Sequence, residues 1–129
     1  MPYSLRPKVE AELERLESLG IISKVETAEF STTAIVPVLK PSGQVRICGD
    51  FKVSVNQYLD RTQYFLTHIE EVFERLSGGQ VFSKLDLPDA YLQVELDDES
   101  KRYVVITTHR GLLRYNRFCF GLSSAPAMF

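Results

Sequence analysis

A short apolar run that ends in a carboxylate is the feature that most constrains this chain. Val81-Phe82-Ser83-Lys84-Leu85-Asp86 alternates as a β-strand does, which places Phe82, Lys84 and Asp86 on one face. Leu87-Pro88-Asp89 follows at once and breaks the strand. A carboxylate at the rim of a sheet suits a divalent metal, because Mg²⁺ is usually bound through one or two carboxylates plus substrate phosphates. The competing interpretation is an aspartate that caps the turn after a strand.

Composition limits the chain to one globular domain. It has 129 residues, of which 44% are hydrophobic and 25% charged, values that are ordinary for a soluble protein. No apolar run approaches the roughly 20 residues of a membrane span, and the charged start from Met1 to Glu17 is no signal peptide. We therefore expect an intracellular, cytoplasmic protein with no membrane partner.

The cysteines and the net charge exclude two further classes. Cys48 and Cys119 are far apart and lack zinc-site spacing, so we expect two free thiols. The net charge of −2 argues against a freestanding nucleic-acid-binding domain, which usually carries a strong positive balance. Any affinity for nucleic acid would need a local basic patch or further parts of a longer protein.

Apolar periodicity predicts two helices. The first follows Pro7 and stops at Gly20, and its apolar side chains recur at helical spacing (Val9, Leu13, Leu16 and Leu19). The second begins with a capping box, Thr67-His68-Ile69-Glu70, and stops at Gly78-Gly79. We expect a buried apolar face on this second helix (Ile69, Val72, Phe73 and Leu76).

A β-hairpin is predicted between the two helices. Residues 34–39 and 44–48 are rich in β-branched side chains and flank the turn Lys40-Pro41-Ser42-Gly43. Pro37 marks its strand as an edge or a bulge. The neighbouring segments are expected to be irregular (residues 21–33 and 50–65).

Three more strands are predicted after Asp86, at residues 91–96, 103–107 and 112–118. Pro126 is suited to the first turn of a last helix, of which barely one turn is present by Phe129. Because one helical turn is not stable alone, we expect the boundary at Phe129 to be a cut.

In this order, the elements resemble the fingers and the first part of the palm of a reverse transcriptase, specifically that of gypsy-type long-terminal-repeat retrotransposons. The resemblance covers essentially the whole chain, including residues 45–52, and its most specific stretches are residues 82–87, 89–93 and 117–121 in this order. It implies an α+β fold in which helices pack on an antiparallel sheet, truncated before the second catalytic motif. Residues 1–80 would form the fingers region and residues 81–129 the N-terminal part of the palm.

The resemblance implies an RNA-directed DNA polymerase, a nucleotidyltransferase that adds deoxynucleotides to a primer by two-metal phosphoryl transfer. Asp86 matches the first of three catalytic aspartates and is a metal ligand in the family. The backbone carbonyl of Leu87 would ligate the nucleotide-bound ion. Mg²⁺ or Mn²⁺ is expected only in the complete enzyme. The implied partners are an RNA or DNA template with its primer, deoxynucleoside triphosphates, and the rest of a polyprotein (the remaining palm, thumb and RNase H) in a virus-like particle.

The resemblance also implies contacts to the triphosphate. Lys40 and Arg46 match basic fingers residues that grip it, since an arginine fork and a lysine point charge both suit phosphate oxygens. Asp89 and Ala90 match positions that offer backbone N–H groups to it. Without the resemblance, Lys40 and Arg46 would be ordinary solvated charges on a hairpin.

Four further positions have implied roles near the sugar or the template. Tyr91 matches the bulky residue that excludes a 2′-hydroxyl; on its pattern alone it would be a core tyrosine with its hydroxyl outward. Phe120 replaces a glutamine of the retroviral branch that contacts the nucleotide, and it agrees with the gypsy type. Gly121 would let the backbone pass close to nucleotide or template, and Lys52 is expected near the template.

The 129 residues contain no Tyr-x-Asp-Asp motif, which carries the other two aspartates in the family. One aspartate cannot hold two divalent ions, so we expect no polymerase activity from these residues alone. The alternative is a non-catalytic retrotransposon-derived remnant that acts as a binding module or has no function. An unrelated α+β interaction domain is the third interpretation. An open sheet edge or exposed apolar face is expected to cause weak self-association.

Overall fold

The computed structural model describes residues 2–59, 67–123 and 125. The strands are β1 (Ile22–Lys24), β2 (Thr33–Leu39), β3 (Val45–Gly49), β4 (Val105–Thr108) and β5 (Gly111–Tyr115). The helices are α1 (Arg6–Ser18), α2 (Ile69–Leu76) and α3 (Asp98–Lys101). Short 3₁₀ helices lie at Tyr3–Leu5, Phe51–Val53, Val55–Gln57 and Ala90–Gln93.

The strands form one five-stranded sheet in the order β1-β5-β4-β2-β3. Neighbours pair antiparallel except β2 and β4, which run parallel. Helix α1 packs against β1 and β3, and the buried core draws on the helix, the strands and the 3₁₀ helix after β3 (Val9, Leu13, Leu16, Ile47, Phe51, Ile106, Leu113 and Tyr115). The predicted α+β fold, with helices on a mostly antiparallel sheet, is confirmed.

The first helix and the hairpin follow their local patterns. Pro7 lies in the first turn of α1, and Gly20 ends the segment with a positive φ of 73°. Leu19 is an exception to the predicted apolar face because it follows the helix and is exposed. Pro37 is tolerated because β2 pairs with β4 only at Thr33 and Ala34, so the proline lies where the described chain gives β2 a partner on one side only.

Strand β1 was not predicted, since residues 21–33 were expected to be irregular. It pairs antiparallel with β5, where Ile22 lies opposite Tyr115. Three residues are too few to show an alternating pattern, so only the non-local pairing defines this strand. The asparagine that follows β5, Asn116, donates from its side chain to the carbonyl of Gly20 at 3.0 Å and to the hydroxyl of Ser23 at 2.8 Å, which ties β1 and the residues before it to the end of β5.

The prediction of a strand at Val81–Asp86 is wrong. These residues have no regular secondary structure, and Val81 and Leu85 are 91% and 92% exposed. A strand exists only through hydrogen bonds to a neighbour, and no described segment pairs with this run. The alternation was therefore compatible with a strand but did not specify its partner.

The capping box predicted at Thr67–Glu70 does not form. Helix α2 begins one residue later, with His68 as its N-cap and no side-chain cap hydrogen bond. The apolar side chains expected to be buried are all exposed (Ile69, Val72, Phe73 and Leu76). Periodicity gave the correct helical face, but nothing in the described chain buries it.

Residues 91–96 begin as a 3₁₀ helix and not as the predicted strand. Leu92 and Leu96 are nevertheless buried in the core, and Glu95 forms an isolated bridge with Arg117. The next two predicted strands are confirmed as β4 and β5, each with shifted ends. The predicted connection at 50–65 is described only to residue 59, and Pro126 and Phe129 lie outside the described residues.

The acidic segment that follows Leu96 is a helix start. Asp97 is the N-cap of α3, and its carboxylate accepts a hydrogen bond from the Ser100 amide at 2.7 Å. Hydrogen bonding to the Ser100 side chain, and secondly to the Ser100 amide, lowers the pKa of the Asp97 carboxyl below its usual value. In the part of the chain that the structure describes, no helix is long and apolar enough to cross a membrane.

Candidate functional site

The hairpin of β2 and β3 and the turn after Pro88 meet at a narrow cleft. Four charged side chains and two aromatic ones line it together with aliphatic core side chains (Glu12, Lys40, Arg46, Asp89, Tyr115 and Phe120). The enclosed space is about 10 Å³, which is room for about one water molecule. A ligand larger than water must therefore lie across the mouth of the cleft.

The hairpin turn fixes Lys40. Its amide donates to the carbonyl of Gln44 at 2.8 Å, and its carbonyl accepts from the Gly43 amide at 2.9 Å. Gly43 has a φ of +88°, which a residue with a Cβ adopts only with strain. The ammonium of Lys8 on α1 donates to the Gly43 carbonyl at 3.2 Å, so the turn is also tied to the helix.

Asp89 has an unusual backbone for a residue with a side chain. Its φ of +47° and ψ of 50° are left-handed, a conformation that aspartate tolerates better than most residues. Its carbonyl accepts from the Leu92 amide at 2.9 Å and so starts the 3₁₀ helix that Ala90 opens. The Gln93 side chain donates to the carbonyl of Pro88 at 2.7 Å and closes the turn.

The carboxylate of Asp89 contacts two cations. Arg15 on α1 donates to one of its oxygens at 3.2 Å, and the ammonium of Lys40 lies 3.8 Å from the other. Arg15 also donates twice to Glu12, at 2.7 and 2.9 Å. These hydrogen bonds from Arg15 to Glu12, with Asp89 adding to the effect, raise the pKa of the Arg15 guanidinium still further above its usual value.

Arg46 lies on an aromatic pair. Its guanidinium carbon is 4.5 Å from the centroid of the Phe120 ring, and that ring is 5.2 Å from the ring of Tyr91 at an interplanar angle of 49°. Among the described residues Arg46 has no carboxylate within ion-pair distance, so the aromatic face is what orients it.

Gly121 brings the segment after Phe120 against the end of β3. Its φ is +106°, and an added Cβ would lie 2.2 Å from the carbonyl oxygen of Gly49. The Gly49 amide donates to the Phe120 carbonyl at 3.1 Å. Asn56 holds the same segment, since its side chain donates to the Gly121 carbonyl and accepts from the Ser123 amide, both at 2.9 Å. The backbone of Gly121 is therefore packed against Gly49, and its approach to nucleotide or template stays a prediction.

Asp86 and Leu87 are exposed and lie in the irregular segment before the cleft. Among the described residues no three histidine, cysteine, aspartate or glutamate side chains gather as a metal site. The Asp86 carboxylate and the Leu87 carbonyl, on consecutive residues, fit one side of a Mg²⁺ site, because this ion takes oxygen ligands and often only one or two carboxylates. They do not fit a two-ion site by themselves.

The structure brings together five of the positions singled out in the sequence: Lys40, Arg46, Asp89, Tyr91 and Phe120. Lys52 is exposed on the 3₁₀ helix Phe51–Val53 and does not line the cleft. Nothing in the sequence alone singles out Arg15, Glu12 or Asn56. A charge pair on a helix and one polar residue on a short 3₁₀ helix carry no signal of their own, because Asp89 and the Gly121 segment that they contact lie elsewhere in the chain.

Comparisons with known proteins identify homologues of the whole chain. It is 44% identical over its full length to the uncharacterized protein K02A2.6 of Caenorhabditis elegans and covers 10% of that protein. It is 33% identical over 112 residues to the transposon Tf2-3 polyprotein of Schizosaccharomyces pombe, and 29% identical over 126 residues to the retrovirus-related Pol polyprotein from transposon 297 of Drosophila melanogaster. These alignments take in 85% and 95% of the chain but only 8% and 12% of the polyproteins. The chain thus spans about a tenth of the length of these relatives.

Solved structures share the fold. A foamy viral protease-reverse transcriptase in complex with double-stranded DNA matches 99% of the chain, with a TM-score of 0.80 and 21% identity, over 22% of its own length. The native prototype foamy virus protease-reverse transcriptase matches 100% of the chain with a TM-score of 0.77, over 17% of its length. No family model matches the chain. The chain is similar to retrotransposon polyproteins and has the fold of one region of these protease-reverse transcriptases, which argues against the interpretation as an unrelated interaction domain.

Proposed function

We propose that this chain contains the fingers and the N-terminal palm of a gypsy-type reverse transcriptase, with the fingers in residues 1–80 and the palm from residue 81. The observation that carries the proposal is the convergence of Lys40, Arg46 and Phe120 at one cleft, with Tyr91 packed against the Phe120 ring. These residues come from three separate parts of the sequence. Homology to retrotransposon polyproteins supports the family, and the fold supports the region.

The cleft residues have complementary roles in binding a deoxynucleoside triphosphate. The triphosphate lies across the mouth of the cleft, where Lys40 and Arg46 contact its oxygens and the Asp89 and Ala90 amides face it. Because the Phe120 ring covers one face of the Arg46 guanidinium, the N–H groups at its edge stay available to phosphate. Tyr91, against the same ring, lies under the sugar and excludes a 2′-hydroxyl by collision.

The reaction is transfer of a nucleotidyl group to a primer. Asp86 and the carbonyl of Leu87 would hold Mg²⁺ or Mn²⁺, which supplies electrostatic stabilisation of a phosphoryl transfer when bound. Lys52 and Gly121 would contact an RNA or DNA template. The 129 residues lack a Tyr-x-Asp-Asp motif, so we expect them to bind nucleotide without extending a primer.

Nucleotide binding tests this proposal without requiring catalysis. We expect the 129-residue chain to bind dTTP in a calorimetric or NMR titration at low ionic strength. Lys40→Ala and Arg46→Ala should each weaken binding by about threefold to tenfold, since each removes a charge-assisted phosphate contact. Lys24→Ala is the matched control, because Lys24 is exposed on β1 and does not line the cleft.

Two outcomes would overturn the proposal. One is the absence of dTTP binding to the wild-type chain, and the other is an equal effect of all three substitutions. Primer extension that depends on Asp86 in the 129-residue chain would overturn the expected inactivity, though not nucleotide binding itself.

A further inference from the structure

Asp89 places a negative charge inside the proposed triphosphate site. Its carboxylate is 3.8 Å from the ammonium of Lys40, close enough for an ion pair but too far for a hydrogen bond. The same carboxylate accepts a hydrogen bond from Arg15 at 3.2 Å. Asp89 is therefore shared between two cations, and Arg15 makes the closer contact.

Arg15 is held for this contact from two sides. On the core face of α1 it is flanked by Leu13 and Leu16, whose exposed fractions are 0% and 2%. Its guanidinium is bidentate on Glu12, one helical turn earlier, with the Asp89 contact made by a nitrogen of the same planar group. A planar fork with fixed donors suits this arrangement, and a lysine would not reproduce it.

The charges around the cleft show what Arg15 changes. Three positive side chains and two negative ones surround the cleft, which leaves a net charge of +1 (Arg15, Lys40, Arg46, Glu12 and Asp89). Because Arg15 donates hydrogen bonds to both carboxylates, Lys40 and Arg46 keep their attraction for an anion. Without Arg15, the nearest remaining cation for Asp89 is Lys40.

We propose that Arg15 is a positioning residue that holds the carboxylate of Asp89 off Lys40 and so leaves Lys40 available to the polyphosphate of an incoming nucleotide. This inference rests on the proposed function, because it concerns the same site. Arg15 itself does not contact the ligand; it acts through Asp89. The ligand class is a polyphosphate, since Lys40 and Arg46 recognise phosphate oxygens and not a base or a sugar.

Inorganic tripolyphosphate, without divalent metal and at low ionic strength, is the probe, titrated into the 129-residue chain. Arg15→Ala should weaken its binding by about threefold to fivefold, the effect of one partly exposed ion pair. Arg102→Ala is the matched control. It removes the same charge and breaks an ion pair to Glu29 away from the cleft, so it should leave the affinity within about twofold.

Two double variants separate positioning from net charge. One combines Arg15→Ala with Asp89→Asn, and the other combines Arg15→Ala with Glu12→Gln. Both have the same net charge as the wild type, because each loses one positive and one negative charge. If Arg15 acts through Asp89, the Asp89→Asn pair restores wild-type affinity, while the Glu12→Gln pair stays weak because Asp89 still competes for Lys40. Equal recovery in both pairs would overturn the inference.

Folding and the proposed function are checked separately. Each variant is compared by circular dichroism and urea unfolding, and affinities are measured where all variants are folded. Wild-type affinity in the Arg15→Ala variant would overturn the inference alone. Failure of the wild-type chain to bind tripolyphosphate would overturn the proposed function and this inference with it.

Discussion

The guanidinium of Arg46 lies over the ring of Phe120, with its central carbon 4.5 Å from the ring centroid. The two residues are 74 positions apart in the sequence and meet because β3 and the segment after β5 pair at the Gly49 amide. The chain holds a second pair of this kind, Arg102 over Phe30 at 5.4 Å, outside the cleft. The two pairs allow a matched experiment.

Phe120→Leu should weaken dTTP binding by about twofold to fivefold, because Arg46 loses the aromatic face that orients it. Leucine keeps the site apolar, so the fold should survive. Phe30→Leu removes the other cation–π pair and should leave binding unchanged. Calorimetric titration of both variants measures the difference, and an equal loss in the two would contradict the role given to Phe120.

Gly121→Ala should destabilise the fold more than Gly43→Ala. Both glycines have positive φ, at +106° and +88°, where a Cβ costs about 1–2 kcal/mol. At Gly43 the Cβ would meet nothing within 4 Å, whereas at Gly121 it would lie 2.2 Å from the Gly49 carbonyl oxygen. The added clash should cost about 1–3 kcal/mol more in the free energy of unfolding.

Urea unfolding of the two glycine variants measures this difference. Equal losses would mean that the backbone at Gly121 moves aside without cost, and that its approach to Gly49 is not tightly held. Because that approach positions Phe120, Gly121→Ala should also weaken dTTP binding, while Gly43→Ala tests the hairpin turn that carries Lys40.

Elements whose pattern is local could be predicted from the sequence, and elements defined by a distant partner could not. Helix α1 and the β2–β3 hairpin form as their own residues dictate. Strand β1 exists only because β5 pairs with it, and Val81–Asp86, with an equally good alternation, is no strand because no described segment pairs with it.

The same distinction applies to the site. The basic hairpin and Tyr91 were selected through a resemblance to a family, not from their own pattern. From its sequence pattern Arg15 is only one charge on the solvated face of the first helix, because its importance depends on Asp89, which lies 74 residues later in the chain. A charge on a helix becomes informative only when the fold shows which carboxylate it contacts.

The two thiols should react slowly in the folded chain. Burial raises the pKa of both, Cys119 in the core and Cys48 half-buried on β3, so little thiolate is present at pH 8. Cys48 should react with a thiol reagent before Cys119, and its rate should rise with pH.

The charge of Arg46 favours the Cys48 thiolate, so Arg46→Ala should slow this reaction further. In denaturant both thiols should react rapidly, because unfolding exposes them. Rapid labelling of Cys119 in the folded state would contradict its burial in the core.

The apolar face of α2 should cause weak self-association at high concentration. Ile69 and Phe73 are each 63% exposed, and Val72 and Leu76 are exposed beside them, a patch that is costly to leave in water. Phe73→Lys should shift the chain towards monomer in sedimentation or light-scattering measurements.

Glu71→Gln is the matched control, because it changes the net charge by the same amount on the same helix without touching the apolar residues. A chain that stays monomeric at every concentration would show that this face does not bind a second copy, and association that Glu71→Gln reduces equally would assign the effect to charge.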